Sequence, residues 1–511
     1  MARYKDYSYD QHKLLPIAFR EQILPGTFEY TLNYLIDHEV DLSVFEARYR
    51  NEETGAPAYD PAILLKIVLY AYARGILSSR EIERCCRENI IFMALSADTQ
   101  PHFSTIAGFI SSMNEEVSVL FRDVLLYCDE MGLIGKELFA IDGCKLPSNA
   151  SKEWSGTRAD FEKKKKKMEG AIRYLLKRHR ERDKSEEDGS VVEREEKQLK
   201  TLREKVKKIK RWLDDNDDKP GKGGTPRKSN LTDNESAKMK SAHGVIQGYD
   251  GVAAVDAKHQ VVVHAEAFGE AQEHDLLVPM IEGTRERFQA LGSAGDIFER
   301  ATLTADAGFH TEANMKRLFE EGIDGYVADI LFRKRDPRFA EAGRYKERHR
   351  QEQREARKKN GPVLFTNHDF HYDPDRHLCI CPAGQKLYRN GSNVVVNGYR
   401  AVKFRAPKSA CRPCHLRAQC LKHPDRSEVR QVYFFSGQTP NRPETFTTKM
   451  KRKIDSALGR ALYGRRLGTV EPVFAHITRM LGLNRCSERQ AGTSLCLAFV
   501  IPVYVAKVFD Q

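Results

Sequence analysis

Two apolar runs in this 511-residue chain end on an aspartate, and together they constrain the fold more than any other feature. In "LFAIDGCKLPSNAS" (138–151) the run Leu138, Phe139, Ala140, Ile141 reads as a buried strand ending at Asp142, with Gly143, Cys144 and Lys145 behind it. In "ATLTADAGFH" (301–310) a threonine-rich strand ends at Asp306, followed by Ala307 and Gly308. An Asp-Gly after a strand is also a common turn, so either motif alone carries little. Two in one sheet carry more, because neighbouring strands would bring the carboxylates within a few ångströms. There they repel unless a cation lies between them. Hard oxygen donors favour Mg²⁺ or Mn²⁺ over zinc. The glycines are expected to leave room for a substrate backbone.

The residues between and beyond these motifs supply a scaffold. "YDGVAAVDAKHQVVVHAEAF" reads as two strands joined by a tight turn around Ala257–His259. "HDLLVPMIEGTRERFQAL" and "TEANMKRLFEEG" read as helices, and "DGYVADI" as a further strand. The order strand, hairpin, helix, strand, helix, strand predicts an α/β fold, a mixed sheet flanked by helices. A third carboxylate is expected from the helix "ALYGRRLGTVEPVFAHITRMLG". There Glu471 stands among Val470, Val473, Phe474 and Ile477 and reads as facing inward. Such a glutamate is costly unless it binds something, and Arg465, Arg466 and Arg479 beside it supply a phosphate clamp. Two hard metal ions about 3.5–4 Å apart suit in-line displacement at a phosphodiester.

Composition shifts mark the remaining organisation. Residues 1–135 read as a helical N-terminal region. "DPAILLKIVLYAYARG" opens with Asp60 as N-cap and Pro61 at the first helical position, and "SSREIERCCREN" begins a second helix after Gly75. Helix, turn, short polar helix is compatible with a DNA-binding helix-turn-helix and equally with a plain helical hairpin. A single long helix is expected over "STIAGFISSMNEEVSVLFRDVLLYCDEMG". In residues 158–231, Val192, Leu199, Val206 and Leu213 recur in heptads with Leu202 and Ile209 interleaved. This predicts a helical hairpin packed as a short antiparallel coiled coil, with a flexible exit linker. The sheet is then divided between 136–157 and 232–332, and resumes in 451–511.

Residues 333–450 read as a basic, cysteine-bearing insertion without a core of its own. Cys379 and Cys381 form a C-x-C, and Cys411 and Cys414 a C-x-x-C with Cys420 behind. His377, His415 and His423 lie close by. Two chelating pairs across a long loop suggest a zinc ribbon; the alternative is a set of reduced buried thiols.

A net charge of +12 favours a polyanionic partner such as DNA. The start "MARYKDYSYDQHKLLPIAF" lacks the apolar run of a signal peptide. "SLCLAFVIPVYVAKVF" is short for a membrane span and contains Pro502, which suggests a core helix. A soluble intracellular protein with reduced cysteines is expected, and no membrane partner.

"FAIDGCKL", "LTADAGFHTEANMKRLFEEGIDGYVAD" and "RRLGTVEPVFAHI" resemble the three catalytic segments of bacterial insertion-sequence transposases with a DDE, ribonuclease-H-like catalytic domain. "YDPAILLKIVLYAYARGILSSREIERCCRENIIFMALSA" resembles the helical N-terminal region of the same family. The resemblance implies Asp142, Asp306 and Glu471 as a triad holding two Mg²⁺ or Mn²⁺ ions. It implies Tyr463, Arg466 and Arg479 as the residues flanking the glutamate; with Lys145, His310 and Arg465 these are the expected DNA- or phosphate-binding residues. The spacings around Glu471 are each one residue longer than the commonest family version, and the usual final lysine is Arg479. It further implies cleavage at transposon ends, transfer of the freed 3′-hydroxyl into target DNA, and a homodimer or larger assembly on DNA in the bacterial cytoplasm, at the nucleoid. The rival readings are a structure-selective nuclease on the same core and a non-catalytic DNA-binding derivative.

Overall fold

Asp60 and Pro61 start a helix as their chemistry requires. In the computed structural model, Asp60 Oδ1 accepts the Ala62 amide at 2.7 Å. Pro61 takes the first helical position, where a missing N–H costs nothing. The structure describes residues 16–48, 57–112, 115–182, 189–221, 224–241, 244–339, 364–392, 394–396, 399–438 and 444–480. The N-terminal helices are α1 (Phe28–Tyr34), α2 (Pro61–Ala73), α3 (Ser79–Glu88), α4 (Ile90–Leu95), α5 (Phe103–Ser112) and α6 (Glu115–Glu130). Of the long helix expected over residues 104–132, the described residues are helical over Phe103–Ser112 and Glu115–Glu130. Leu64 to Tyr72 are all buried, so α2 is the hub of the bundle. In α3 the buried Glu83 pairs with Arg87 and accepts the Phe103 amide at 3.1 Å, which caps α5.

After α6 the chain forms β1 (Leu138–Pro147), α7 (Arg158–Arg182), α8 (Gly189–Asp215), β2 (Ala237–Ser241), β3 (Gly244–Asp256), β4 (Val262–Phe268), α9 (Leu277–Ala290), β5 (Thr302–Ala305), α10 (Glu312–Glu320) and β6 (Asp324–Val327). Helix α11 (Ala457–Ala475) follows much later and packs on β1, β5 and β6. The sheet order is β2-β3-β1-β5-β6, with β4 paired to the rest of β3. Strands β1, β5 and β6 are parallel, while β3 runs antiparallel to β1. The expected hairpin is β3–β4; the edge strand β2 was not foreseen.

One expectation about β1 needs correction. The strand does not stop at Asp142. It runs on to Pro147 because β3 pairs with it along the whole length, from Phe139↔Asp256 to Pro147↔Gly248. What ends beside Asp142 is the parallel pairing to β5, whose last register pair is Ile141↔Ala305.

Helices α7 and α8 pack side by side and antiparallel. Arg158 Nη1 donates to the Leu213 carbonyl at one end, and Arg178 and His179 meet Glu195 further along. Leu199, Val206, Ile209 and Leu213 are buried. At the base, Phe161, Ile209, Trp212, Leu213 and Leu231 form an apolar cluster. The exit is not the free linker expected, since Ser229–Asn230 pairs with Ser155–Gly156 and both Ser229 and Asn230 are fully buried. Val192 lies where side chains are not described.

One compact unit runs to Asp329 and resumes at Met450; Ile330–Lys449 form the other. The second unit has a core, contrary to expectation. Its strands are β7 (His371–Asp373), β8 (Leu378–Ile380), β9 (Lys386–Arg389), β10 (Val394–Val396), β11 (Tyr399–Arg405) and β12 (Gln431–Gln438). They order as β10-β11-β9-β8-β7, with β12 on β11, around buried Phe370, Cys379, Leu387, Phe404 and Val432. Among the described residues no helix is long and apolar enough to cross a membrane. The segments 1–15 and 481–511, with the readings placed on the chain's start and on "SLCLAFVIPVYVAKVF", lie outside the described residues.

Candidate active site

The register that ends at Ile141↔Ala305 makes Asp142 and Asp306 the next residues along two adjacent parallel strands. Each carboxylate is fixed by its own loop. Asp142 Oδ1 accepts the Gly143 amide at 2.9 Å. Asp306 Oδ1 accepts the Gly308 amide at 2.7 Å and caps the 3-10 turn Ala307–Phe309. That turn is pinned from outside. His274 Nδ1 is 2.7 Å from the Gly308 carbonyl, and Asn314 Nδ2 donates to the carbonyls of His274 and Phe309.

Two further carboxylates converge here, and sequence reading missed both. Asp250 on β3 is the register partner of Lys145 and is fully buried. Glu273 sits in the 3-10 turn Glu273–Asp275 before α9. Lys145 Nζ pairs with Asp250 and lies 3.1 Å from Glu273 Oε1. A Cβ at Gly308 would stand 1.9 Å from Glu273 Oε2, and one at Gly143 would stand 3.1 Å from Asp250 Oδ1. In this structure the space at both glycines is used by these acids. The one available signal was the register itself, which sets an acid in "GYDGV" opposite Lys145.

The third corner also differs from expectation. Arg466, not Glu471, faces the aspartates from α11: Arg466 Nη1 donates to Asp142 Oδ2 at 2.6 Å. Arg466 is only 6% exposed, with its guanidinium carbon 5.5 Å from the Tyr463 ring centre. Val470, Val473 and Ile477 are buried along the same face, whereas Glu471 is exposed. One residue past Val470 means about 100° around the helix, so Glu471 cannot share the buried stripe. The inward-facing reading of Glu471 is therefore corrected. Arg465 and Arg479 are exposed, and His310 is half-buried with Nδ1 3.0 Å from the Val327 carbonyl.

Electrostatics follow from this crowding. Burial raises the Asp142 pKa and the Asp306 charge adds to it, against the lowering pull of Arg466 and the Gly143 amide. Burial pushes Asp250 up to about 6, with Lys145 opposing and Glu273 and Asp306 reinforcing. Burial would pull Lys145 down, but Asp250 and Glu273 outweigh it and the net direction is up. Tyr463 is raised, chiefly by burial. Four carboxylates thus face two cations, Lys145 and Arg466, and the site carries excess negative charge suited to a hard divalent cation. As they stand, no three His, Cys, Asp or Glu side chains among the described residues are drawn tightly enough to hold a metal ion.

The cysteines fall into distinct settings. Cys379 is closed inside the second unit's apolar cluster, while Cys381, Cys411, Cys414 and Cys420 line one small cavity. His377, His415 and His423 are exposed.

Two comparisons bear on identity. A transposase domain model (DUF772) matches residues 18–112, the helical bundle from its first turn through α5. A transposase DDE domain model matches residues 380–495, from β8 through α11 and Glu471. No match to a curated protein accompanies them.

Proposed function

The chain is an insertion-sequence transposase of the DDE type, an enzyme that acts on DNA, and from that premise we propose that Asp142 and Asp306 are the metal-binding pair of its catalytic centre. The observation that carries this is the parallel register delivering both aspartates side by side. The sheet path β4-β3-β1-β5-β6, with an antiparallel hairpin on one side of β1 and parallel strands on the other, supports a ribonuclease-H-like core. Glu471 is proposed as the third ligand. It lies on α11, the helix packed on the strands carrying both aspartates, and Pro472 with the π-turn His476–Met480 makes that stretch irregular.

Bound as a pair, Mg²⁺ or Mn²⁺ ions would activate the attacking hydroxyl and stabilise the departing oxygen of a phosphodiester. The chain's own residues position and balance charge. Lys145 holds Asp250 and Glu273 away from mutual repulsion, and Arg466 orients Asp142. Exposed Arg465 and Arg479, together with His310, are proposed to meet DNA phosphates. The reaction is end cleavage followed by attack of the freed 3′-hydroxyl on target DNA, in a homodimer or larger assembly to which a coiled coil of α7 and α8 contributes.

The test is capture of a labelled transposon end in unlabelled target DNA with Mg²⁺. Joined product supports strand transfer; cleavage without any joined product favours a nuclease and overturns that part of the reading. Deleting residues 158–215 is expected to reduce the mass of the DNA complex, and an unchanged mass would remove the coiled coil from the assembly.

A further inference from the structure

The second unit holds a cluster of soft ligands that the chemistry of DNA cleavage does not use. Cys381, Cys411, Cys414 and Cys420 line one small cavity, with room enough for a single ion among them. All are free thiols and half-buried, neither sealed in the core nor open at the surface. Three short turns carry them. Cys381 directly follows β8, donates its amide to the Gln385 carbonyl at 3.0 Å and, through its own carbonyl, accepts the Gly384 amide at 2.8 Å. Cys411 and Cys420 end the one-turn helices Lys408–Cys411 and Arg417–Cys420, and Cys414 lies between them.

Two arginines brace these turns. Arg417 Nη1 donates to the Cys411 carbonyl at 3.0 Å, and its Nη2 to the carbonyls of Pro424 and Ser427. Arg430 donates to the carbonyls of Cys420 and Phe365, each at 3.1 Å. Both side chains line the same cavity as the thiols. Two guanidiniums spent on backbone carbonyls next to cysteines are what a tetrathiolate site needs. They fix ligand orientation, and their charge offsets the two net negative charges of four thiolates around a divalent cation.

We propose that Cys381, Cys411, Cys414 and Cys420 bind one structural zinc ion as a tetrahedral tetrathiolate, and that Cys379 takes no part. Four thiols and Zn²⁺ give Zn(Cys)₄²⁻ and four released protons, with no change of oxidation state. Zinc is the fit because four sulfur donors close the coordination shell and leave no position for substrate. In this structure the thiols line the cavity wall without being drawn together tightly enough to hold an ion, so binding requires their short turns to close on it. Cys379 is fully buried in the apolar cluster that holds Phe404, as a packing residue is.

The experiment is metal analysis of the full chain purified under reducing conditions, by mass spectrometry of the digested protein. One zinc per chain is expected. It should fall below about a tenth in Cys381→Ser and Cys420→Ser and stay at one in Cys379→Ala. Cobalt exchange guards against misfolded variants: the full chain should give the intense visible absorption of tetrahedral thiolate cobalt, and Cys379→Ala should keep it. Absence of zinc in the parent chain, iron in its place, or zinc retained when all four cysteines are serine would overturn the proposal. None of these readouts depends on DNA cleavage, so the site stands or falls separately from Asp142 and Asp306.

Discussion

Replacing Arg466 by methionine removes the cation that Asp142 meets from α11. The pair is close, 2.6 Å, with side chains 8% and 21% exposed. Charge centres about 4 Å apart at an effective dielectric of about 20 attract by roughly 4 kcal/mol. Water reaches the open side of Asp142 once the arginine is gone, so about half of that, ~2 kcal/mol, is the expected loss of metal-free stability. The same figure predicts the effect on metal. A divalent cation on Asp142 and Asp306 must work against Arg466, which weakens binding by up to about 30-fold at 1.4 kcal/mol per decade. Arg466→Met should therefore unfold at lower denaturant yet bind Mn²⁺ about 30-fold more tightly without DNA. Denaturant melts and Mn²⁺ titration followed by electron paramagnetic resonance read the two effects. Unchanged or weaker Mn²⁺ binding in Arg466→Met would refute the idea that this guanidinium stands in for the cation.

Three other outcomes are expected. Lys145→Met strands the buried Asp250 charge and should cost about 3 kcal/mol at pH 8; the cost should shrink towards pH 5, because Asp250, already raised to about 6 by burial, is then protonated. His264 is buried on β4 with its pKa lowered to about 4, chiefly by burial, so it favours folding above its unfolded value near 6.5 and loses that as pH falls through 4. It should account for about 3 kcal/mol of acid destabilisation, which His264→Met flattens in urea melts between pH 7 and 4. Gly283→Ala on α9 places a methyl 2.2 Å from the His264 ring, and it should lower stability by about 1–3 kcal/mol despite alanine's better helix propensity, as thermal melts will read.

The aspartate pair was legible because a short strand-forming run ending on an acid, apolar in Leu138–Ile141 and threonine-rich in Thr302–Ala305, is a strong local pattern, and it occurred twice. The length of β1 was not, because Gly143, Cys144 and Lys145 interrupt the apolar run and only pairing with β3 extends the strand. Lys145 looked like a phosphate contact while its partner Asp250, more than a hundred residues away, could not be seen. The facing of α11 was ambiguous for a different reason. Leu458, Leu462, Leu467 and Phe474 surround the helix with apolar side chains, and the contact of Arg466 with Asp142 breaks the tie. The core of the second unit escaped notice because the seven buried residues of its cluster are scattered from Phe370 to Val432, four of them on short strands and three just outside strands.

Cleavage of DNA bearing the transposon ends, with Mg²⁺, by Asp306→Asn and Asp142→Asn tests the central claim most directly. The account predicts that each loses at least about a thousandfold in rate, as for loss of a charged group acting on the transition state, while melting as a folded protein and still binding the ends. Cleavage within tenfold of the parent in either variant would contradict the assignment of these two aspartates as the catalytic metal pair.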